Sequence, residues 1–157
     1  MSYETFDAAK DLMQRGANKD EIIFRLFKSV DFKILKFWGA VLDEMNVDPV
    51  GKFVWSAIPY ERIVELGSLA GGRKAAASNF VQIVDGTNFG MIMVEQEKKK
   101  LSISFRSRTG LDTSKIATEL GGGGHIYASG AKIEGLPFEK AVEKVLEVVR
   151  KHAKKTS

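Results

Sequence analysis

Leu101-Ser102-Ile103-Ser104-Phe105-Arg106 alternates apolar and polar side chains without a break. A period of two marks a half-buried strand, with Leu101, Ile103 and Phe105 on a core face and Ser102, Ser104 and Arg106 on the other. Just upstream, Phe89 to Glu95 is a second strand-length run, and the polar stretch from Gln96 to Lys100 joins the two as a hairpin. Downstream, Asp112 is placed to cap a helix that runs through Leu120. The loop Gly121-Gly122-Gly123-Gly124-His125 follows, and then a last strand from Ala128 to Ile133. Pro137 opens a closing helix whose buried stripe is Phe138, Ala141, Val142, Val145, Leu146 and Val149. Lys151 to Lys155 reads as a frayed tail, with His152 in it lacking a partner.

Moving toward the N-terminus, Lys52 to Ile58 reads as a strand and Pro59 opens a short helix through Leu66. Residues 67–78 are small and glycine-rich and lead into a helix over Ala76 to Val84. Strands alternating with helices predict an α/β (α+β) domain, a small mixed sheet with flanking helices. A three-helix segment precedes it. Phe6, Ala9, Leu12 and Met13 recur at helical spacing before a stop at Gly16, and Asn18 caps a helix with Ile22, Ile23, Leu26, Phe27 and Val30 on its apolar face. Asp31 caps a third, which Phe32, Ile34, Leu35, Phe37, Trp38, Ala40, Val41, Leu42 and Met45 nearly encircle. A helix apolar over most of its circumference has to be buried on several sides, so another domain or a second copy of the chain is expected against it. The turn-rich Asn46-Val47-Asp48-Pro49 is the expected boundary, giving segments 1–47 and 48–157.

Composition narrows the chemistry. The chain has 157 residues, 44% hydrophobic and 28% charged, and no run long enough for a spanning helix, so no membrane partner is expected. It has no cysteine and two histidines, which excludes a disulfide scaffold, a thiol nucleophile and a cysteine zinc site. The start Met-Ser-Tyr-Glu-Thr lacks the basic and apolar blocks of a secretory signal, so a cytoplasmic location is the expectation. Net charge is +4 and uneven, with −1 over residues 1–47 and +5 over residues 48–157. The basic side suits an anionic partner such as a nucleotide or nucleic acid; a solvated surface explains the charge equally well.

Two features point to a site. Four consecutive glycines each cost roughly 0.5–1 kcal/mol relative to alanine in regular structure, so a folded domain keeps them for backbone geometry or for close approach of a ligand. Successive bare N–H groups there can form a concave nest for an oxyanion, with His125 adding a donor and a flat ring. The plainer alternative is a flexible connection that binds nothing. The second feature is Ser104-Phe105-Arg106-Ser107, where Arg106 is placed to fork onto phosphate oxygens or simply to sit at an exposed edge. One predicted helix separates Arg106 from the glycines, and that spacing favours folding both to one side. Gly71-Gly72-Arg73-Lys74 lacks the Lys-Ser/Thr ending of a phosphate loop and reads as structural, and Lys98-Lys99-Lys100 reads as a solvated hairpin tip. The eight aspartates are scattered through caps and turns with no Asp-x-Asp and no Asp-His pair, so no catalytic residue and no metal ligand is assigned.

Ser102-Ile103-Ser104-Phe105-Arg106-Ser107, Ile116-Ala117, and Gly121 to His125 with Ala128 and Gly130 together resemble the small C-terminal domain of DHH phosphoesterases of the RecJ and oligoribonuclease type. The resemblance covers residues 48–150. Ala128-Ser129 stands where the family shows two alanines, and Tyr127 also departs from its pattern. The resemblance implies that residues 1–47 are the end of a DHH domain and its linker. The manganese- or magnesium-binding DHH catalytic domain is then missing, and the chain is a fragment or a stand-alone remnant. It further implies a substrate-binding role for Ser104, Arg106, Ser107, Gly121, Gly122, Gly123, Gly124 and His125 toward a nucleotide or short single-stranded oligonucleotide. Two functions follow as expectations. One is the nucleotide-binding half of a metal-dependent phosphodiesterase (a hydrolase), inactive alone and carrying no cofactor itself. The other is a stand-alone, non-catalytic RNA- or tRNA-binding module. Phe32, Leu35, Trp38, Val41 and Leu42 are the expected surface for a homodimer or for the DHH domain.

Overall fold

The computed structural model describes residues 2–67 and 76–154. Among these residues six strands, β1 (Met45–Asp48), β2 (Phe53–Ile58), β3 (Phe89–Glu97), β4 (Lys100–Ser107), β5 (Gly123–His125) and β6 (Ala128–Glu134), form one mixed sheet. Their order across it is β1-β2-β3-β4-β6-β5. β2 and β3 run parallel, and the other neighbours are antiparallel. A parallel pair needs a crossover, and residues 59–88 supply it with the helix Tyr60–Leu66 and a π-helical turn at Ala77–Val81.

Strand period two sorts the side chains into two layers. Phe53, Phe89, Met91, Met93, Leu101, Ile103 and Phe105 lie on one face. Two helices cover that face, Thr113–Glu119 and Phe138–Lys154, through Ile116, Ala117, Ala141, Val145, Leu146 and Val149. Each large side chain taken out of water here contributes ~1.5–3 kcal/mol. On the opposite face Val54, Ile58, Ile92 and Val94 are covered by Phe37, Ala40 and Val41 of the helix Phe32–Asp43, with Ile63, Ala76 and Val81. This second layer lies over β2 and β3, so β3 is buried on both sides. Over β4, β6 and β5 the same face carries the serines, glycines and Arg106 instead, and a concavity opens there.

The chain divides between Phe32 and Lys33, not at residue 47. The expected boundary falls inside β1, where Val47 pairs with Val54 and Asp48 with Phe53. Turn chemistry looks alike in a linker and in a hairpin. Here the Asp48 carboxylate accepts the Gly51 N–H at 2.8 Å and closes a β1–β2 hairpin. The third helix is likewise covered by its own sheet through Phe37, Ala40 and Val41, while Phe32, Leu35 and Leu42 stay exposed. Upstream, the helices Tyr3–Gln14 and Lys19–Phe27 contain no buried residue. The first ends in a Schellman cap, in which the Gly16 and Ala17 amides donate to Met13 and Leu12. Asn18 caps the second through the Glu21 N–H at 3.1 Å.

The hairpin between β3 and β4 is tighter than the sequence suggests, with Lys98 and Lys99 as its turn. Glu95, buried beneath it, accepts the Lys99 and Tyr60 amides at 2.8 and 3.1 Å, so each of its side-chain oxygens has a backbone donor. The closing helix continues through Lys154 instead of fraying at Lys151. His152 has a partner after all, because its Nε2 lies 2.7 Å from Glu119 Oε2 and Lys151 holds the other oxygen of that carboxylate. The motif Gly71 to Lys74 lies outside the described residues.

Candidate functional site

The helix Thr113–Glu119 starts from Asp112, whose carboxylate accepts the Ser114 N–H at 3.0 Å, and stops at the tetraglycine. Gly121 takes φ +77, and its amide and that of Gly122 donate to Thr118 and Ala117 at 2.9 and 2.7 Å. These are the two bonds of a Schellman cap. Both amides are therefore committed to ending the helix and do not form the anion nest expected from the glycine run. Gly123 and Gly124 then continue as the short edge strand β5, where a loop was expected, pairing with Gly130 and Ser129 of β6.

Close approach explains two more of the glycines. A Cβ on Gly122 would stand 2.1 Å from the Gly130 carbonyl oxygen, and one on Gly124 would stand 2.6 Å from Ser129 Cα. Gly123 differs from both, because a Cβ there meets nothing within 4 Å. Its missing side chain leaves space in front of the sheet and meets no packing need.

Sheet register aligns the rest. Arg106 pairs with Ala128 and Ala128 with His125; Ser104 pairs with Gly130 and Gly130 with Gly123; Ser102 pairs with Lys132. These three rows share one face, and together with Gly121, Gly122 and Gly124 they line a concavity of about 600 Å³. His125 stands at the end of the Arg106 row and is exposed, outside the lining. Ser102 and Ser104 are buried in the floor. Ser107 is not brought to the cavity. Alternation turns it to the other face, where its hydroxyl accepts the Gly110 N–H at 3.0 Å and its carbonyl accepts Gln82 Nε2 at 3.0 Å.

The cavity lining carries two cations, Arg106 and Lys132, and no carboxylate. Partial burial pushes the Arg106 guanidinium down from its ordinary value, and a group that basic stays charged at neutral pH. Its Nη1 donates to the Phe105 carbonyl at 2.8 Å, which steadies the head group at the cavity wall. Behind the wall, the Ser129 hydroxyl bonds Thr113 Oγ1 at 2.9 Å, and Thr113 Oγ1 donates to the Ile126 carbonyl at 2.9 Å. That chain ties the β5–β6 turn to the start of the capping helix. Lys132 was missed at the sequence level, although the period-two series Ala128, Gly130, Lys132 puts it on the Arg106 face once the β4–β6 pairing is known.

Such a cavity suits an anion with a flat or extended body, held by charge and backbone and lacking acid–base machinery. Among the described residues no three His, Cys, Asp or Glu side chains gather where a metal ion could be held, so the residues present do not fit a two-metal hydrolytic centre. Nor is any helix among them long and apolar enough to cross a membrane.

The sequence pattern of the DHHA1 domain matches residues 70–155, more than half of the chain, including β4, the glycines and Lys132. The chain belongs to the DHHA1 domain family. It is 29% identical over 150 residues to the bifunctional oligoribonuclease and PAP phosphatase NrnA of Thermus thermophilus, covering 94% of this chain and 43% of that protein. The chain thus spans less than half the length of this curated relative. In fold it is similar to an exopolyphosphatase-related protein from Bacteroides fragilis, with TM-score 0.86, 22% identity, and coverage of 97% of this chain and 44% of the other. A pGpG-specific phosphodiesterase, PggH from Vibrio cholerae, matches with TM-score 0.59 and 15% identity over 100% of this chain and 52% of its own. DHHA1 domains occur in DHH phosphoesterases, and the mixed sheet with flanking helices agrees with the fold expected from that resemblance.

Proposed function

We propose that this DHHA1 domain grips the nucleotide and phosphate of a short oligonucleotide or dinucleotide that a DHH phosphoesterase hydrolyses. The observation that carries the reading is the convergence of Arg106, the Ser104 strand and the bare Gly123 backbone on one cavity without a carboxylate. The names of the Thermus and Vibrio relatives, an oligoribonuclease and a pGpG phosphodiesterase, support the same substrate class. The divalent metal and the hydrolytic step belong to a DHH catalytic domain of the whole protein, and this chain contributes position. Binding energy used for position lowers the barrier as well as the dissociation constant. The exposed apolar residues Phe24, Leu26 and Phe27 support association of the N-terminal helices with that catalytic domain or, in the isolated chain, with a second copy.

Half a site binds weakly, with dissociation constants on the order of 0.1–1 mM, about 4–5.5 kcal/mol. Titration of the chain with 5′-phosphorylated diadenylate, followed by amide shifts, tests the reading. Shifts are expected at 104–106 and 121–125. Shifts confined to Lys98–Lys100 and the basic C-terminal helix would mean diffuse charge attraction and would remove the proposal.

A further inference from the structure

The cavity floor runs on past Ser102. On β6 the period of two continues from Ala128 and Gly130 through Lys132 to Glu134, and Ser102 and Lys100 of β4 stand in register with the last two. At this end a second, smaller hollow of about 120 Å³ opens, and Ser102 and Lys132 line both it and the cavity. Gln96, Glu97, Lys100 and Glu134 complete its polar lining. The acid-free cavity thus passes into a hollow that mixes cations with carboxylates.

Bonding within the hollow decides what it can offer a ligand. Glu97 is held by Lys100 at 2.6 Å, and the Ser102 hydroxyl donates to Gln96 Oε1 at 3.1 Å. Among the described residues the side chains of Lys132 and Glu134 make no hydrogen bond and no ion pair. One strand face therefore presents a donor, the Lys132 ammonium, two positions from an acceptor, the Glu134 carboxylate. Two carboxylates in the hollow oppose a second phosphate there. A neutral planar edge with an acceptor beside N–H donors fits the pair. Guanine carries that edge, with O6 for Lys132 and the N1 and N2 hydrogens for Glu134. Adenine carries the reverse, an amino donor where O6 would be and a lone pair at N1.

Four strand positions, about 13 Å, separate the Arg106 and Lys132 rows. Side chains at both ends take up part of that span, and one extended nucleotide covers the rest from phosphate to base edge. Its ribose then passes over the side-chain-free Gly130 and Gly123 positions. Resting on the nucleotide reading of the cavity, we infer that Lys132 and Glu134 form a base-reading subsite, which makes the domain prefer a guanine nucleotide to an adenine nucleotide. Arg106 fixes the phosphate, and the far end of the floor reads the base.

The test is amide-shift titration of the chain with guanosine 5′-monophosphate and with adenosine 5′-monophosphate, at neutral pH and one ionic strength. The wild-type chain is expected to bind the guanine nucleotide about tenfold more tightly, within the range that one bidentate base contact discriminates. Glu134→Gln should bring the ratio below about twofold, because its single amide oxygen does not replace a carboxylate facing two N–H groups. Loss of the charge changes the attraction for both phosphates alike, so the ratio reports on the base alone. A ratio near one in the wild type, or a ratio unchanged in Glu134→Gln, overturns the inference. Arg106→Ala separates the two readings. If it weakens both nucleotides while the wild-type ratio is near one, the base subsite alone fails. If it weakens neither, the cavity reading fails and the subsite falls with it.

Discussion

Gly122 lies so close beneath β6 that a Cβ on it would stand 2.1 Å from the carbonyl oxygen of Gly130, whereas its neighbour Gly123 faces open space. Adjacent glycines in one run thus serve different ends. Gly122 lets the helix end tuck under the sheet, and Gly123 leaves room for a ligand.

Gly122→Ala and Gly123→Ala should accordingly behave as opposites. The first forces backbone apart and should destabilise the domain by about 1–3 kcal/mol, the range for overpacking. The second should leave the urea midpoint nearly unchanged and weaken nucleotide binding, and Gly123→Val should weaken it further. A Gly122→Ala variant as stable as the wild type would show that the strand yields more easily than the geometry implies.

Arg106→Ala should weaken binding of 5′-phosphorylated diadenylate by ~1–3 kcal/mol. Arg106→Lys should recover only part of the loss, because a lysine retains the charge without the planar fork. Calorimetric titration of both variants decides this. Full recovery by lysine would reduce the role of Arg106 to charge alone.

The Thr113–Ser129 pair holds the β5–β6 turn from behind the cavity. Thr113→Val deprives the Ile126 carbonyl of the hydroxyl's hydrogen bond and strands the buried Ser129 hydroxyl, and should cost about 1–3 kcal/mol. Ser129→Ala leaves the Thr113–Ile126 bond intact and should cost about 1 kcal/mol or less. Thermal denaturation of the two variants should rank them in that order.

Acid should loosen the β1–β2 hairpin. The Gly51 N–H holds the Asp48 carboxyl below its ordinary value; burial opposes it, and the Arg150 guanidinium adds to the lowering. A group depressed in the folded state stabilises the fold above its unfolded value, near pH 4, and loses that contribution as pH falls through the folded value. Asp48→Asn should therefore be less stable than wild type by about 1–2 kcal/mol at pH 7, with the gap closing below about pH 4. Urea unfolding of both proteins between pH 7 and pH 3 measures the gap, and a gap independent of pH would remove Asp48 ionisation as its source.

Period-two alternation in Leu101 to Arg106 was enough to place the strand, its core face and Arg106 on the other face, because side-chain direction in a strand is a local property. Helix starts and stops at Asn18, Asp112, Gly121 and Pro137 were equally local, since capping involves residues no more than about five apart. The grouping of Arg106 with the glycines was partly legible, since one short helix links them. The π-helical turn at Ala77–Val81 was read as an ordinary helix, and no local signal in that segment distinguishes the two.

Pairing between distant strands decided the rest. The β4–β6 register put Lys132 at the far end of the Arg106 floor, and the same alternation turned Ser107 away from it. The glycine run announced a special backbone without saying which kind. Helix capping took two of its amides and edge pairing took Gly123 and Gly124, an outcome set by where β6 lies. Asp48 and Arg150, far apart in the chain, join at 2.9 Å and make a hairpin corner of what a local reading takes for a linker. Spacing along the chain fixes which residues share a face of one element. Which faces meet, and which residue a nearby carboxylate or carbonyl finds, depends on long-range packing that no single stretch of sequence contains.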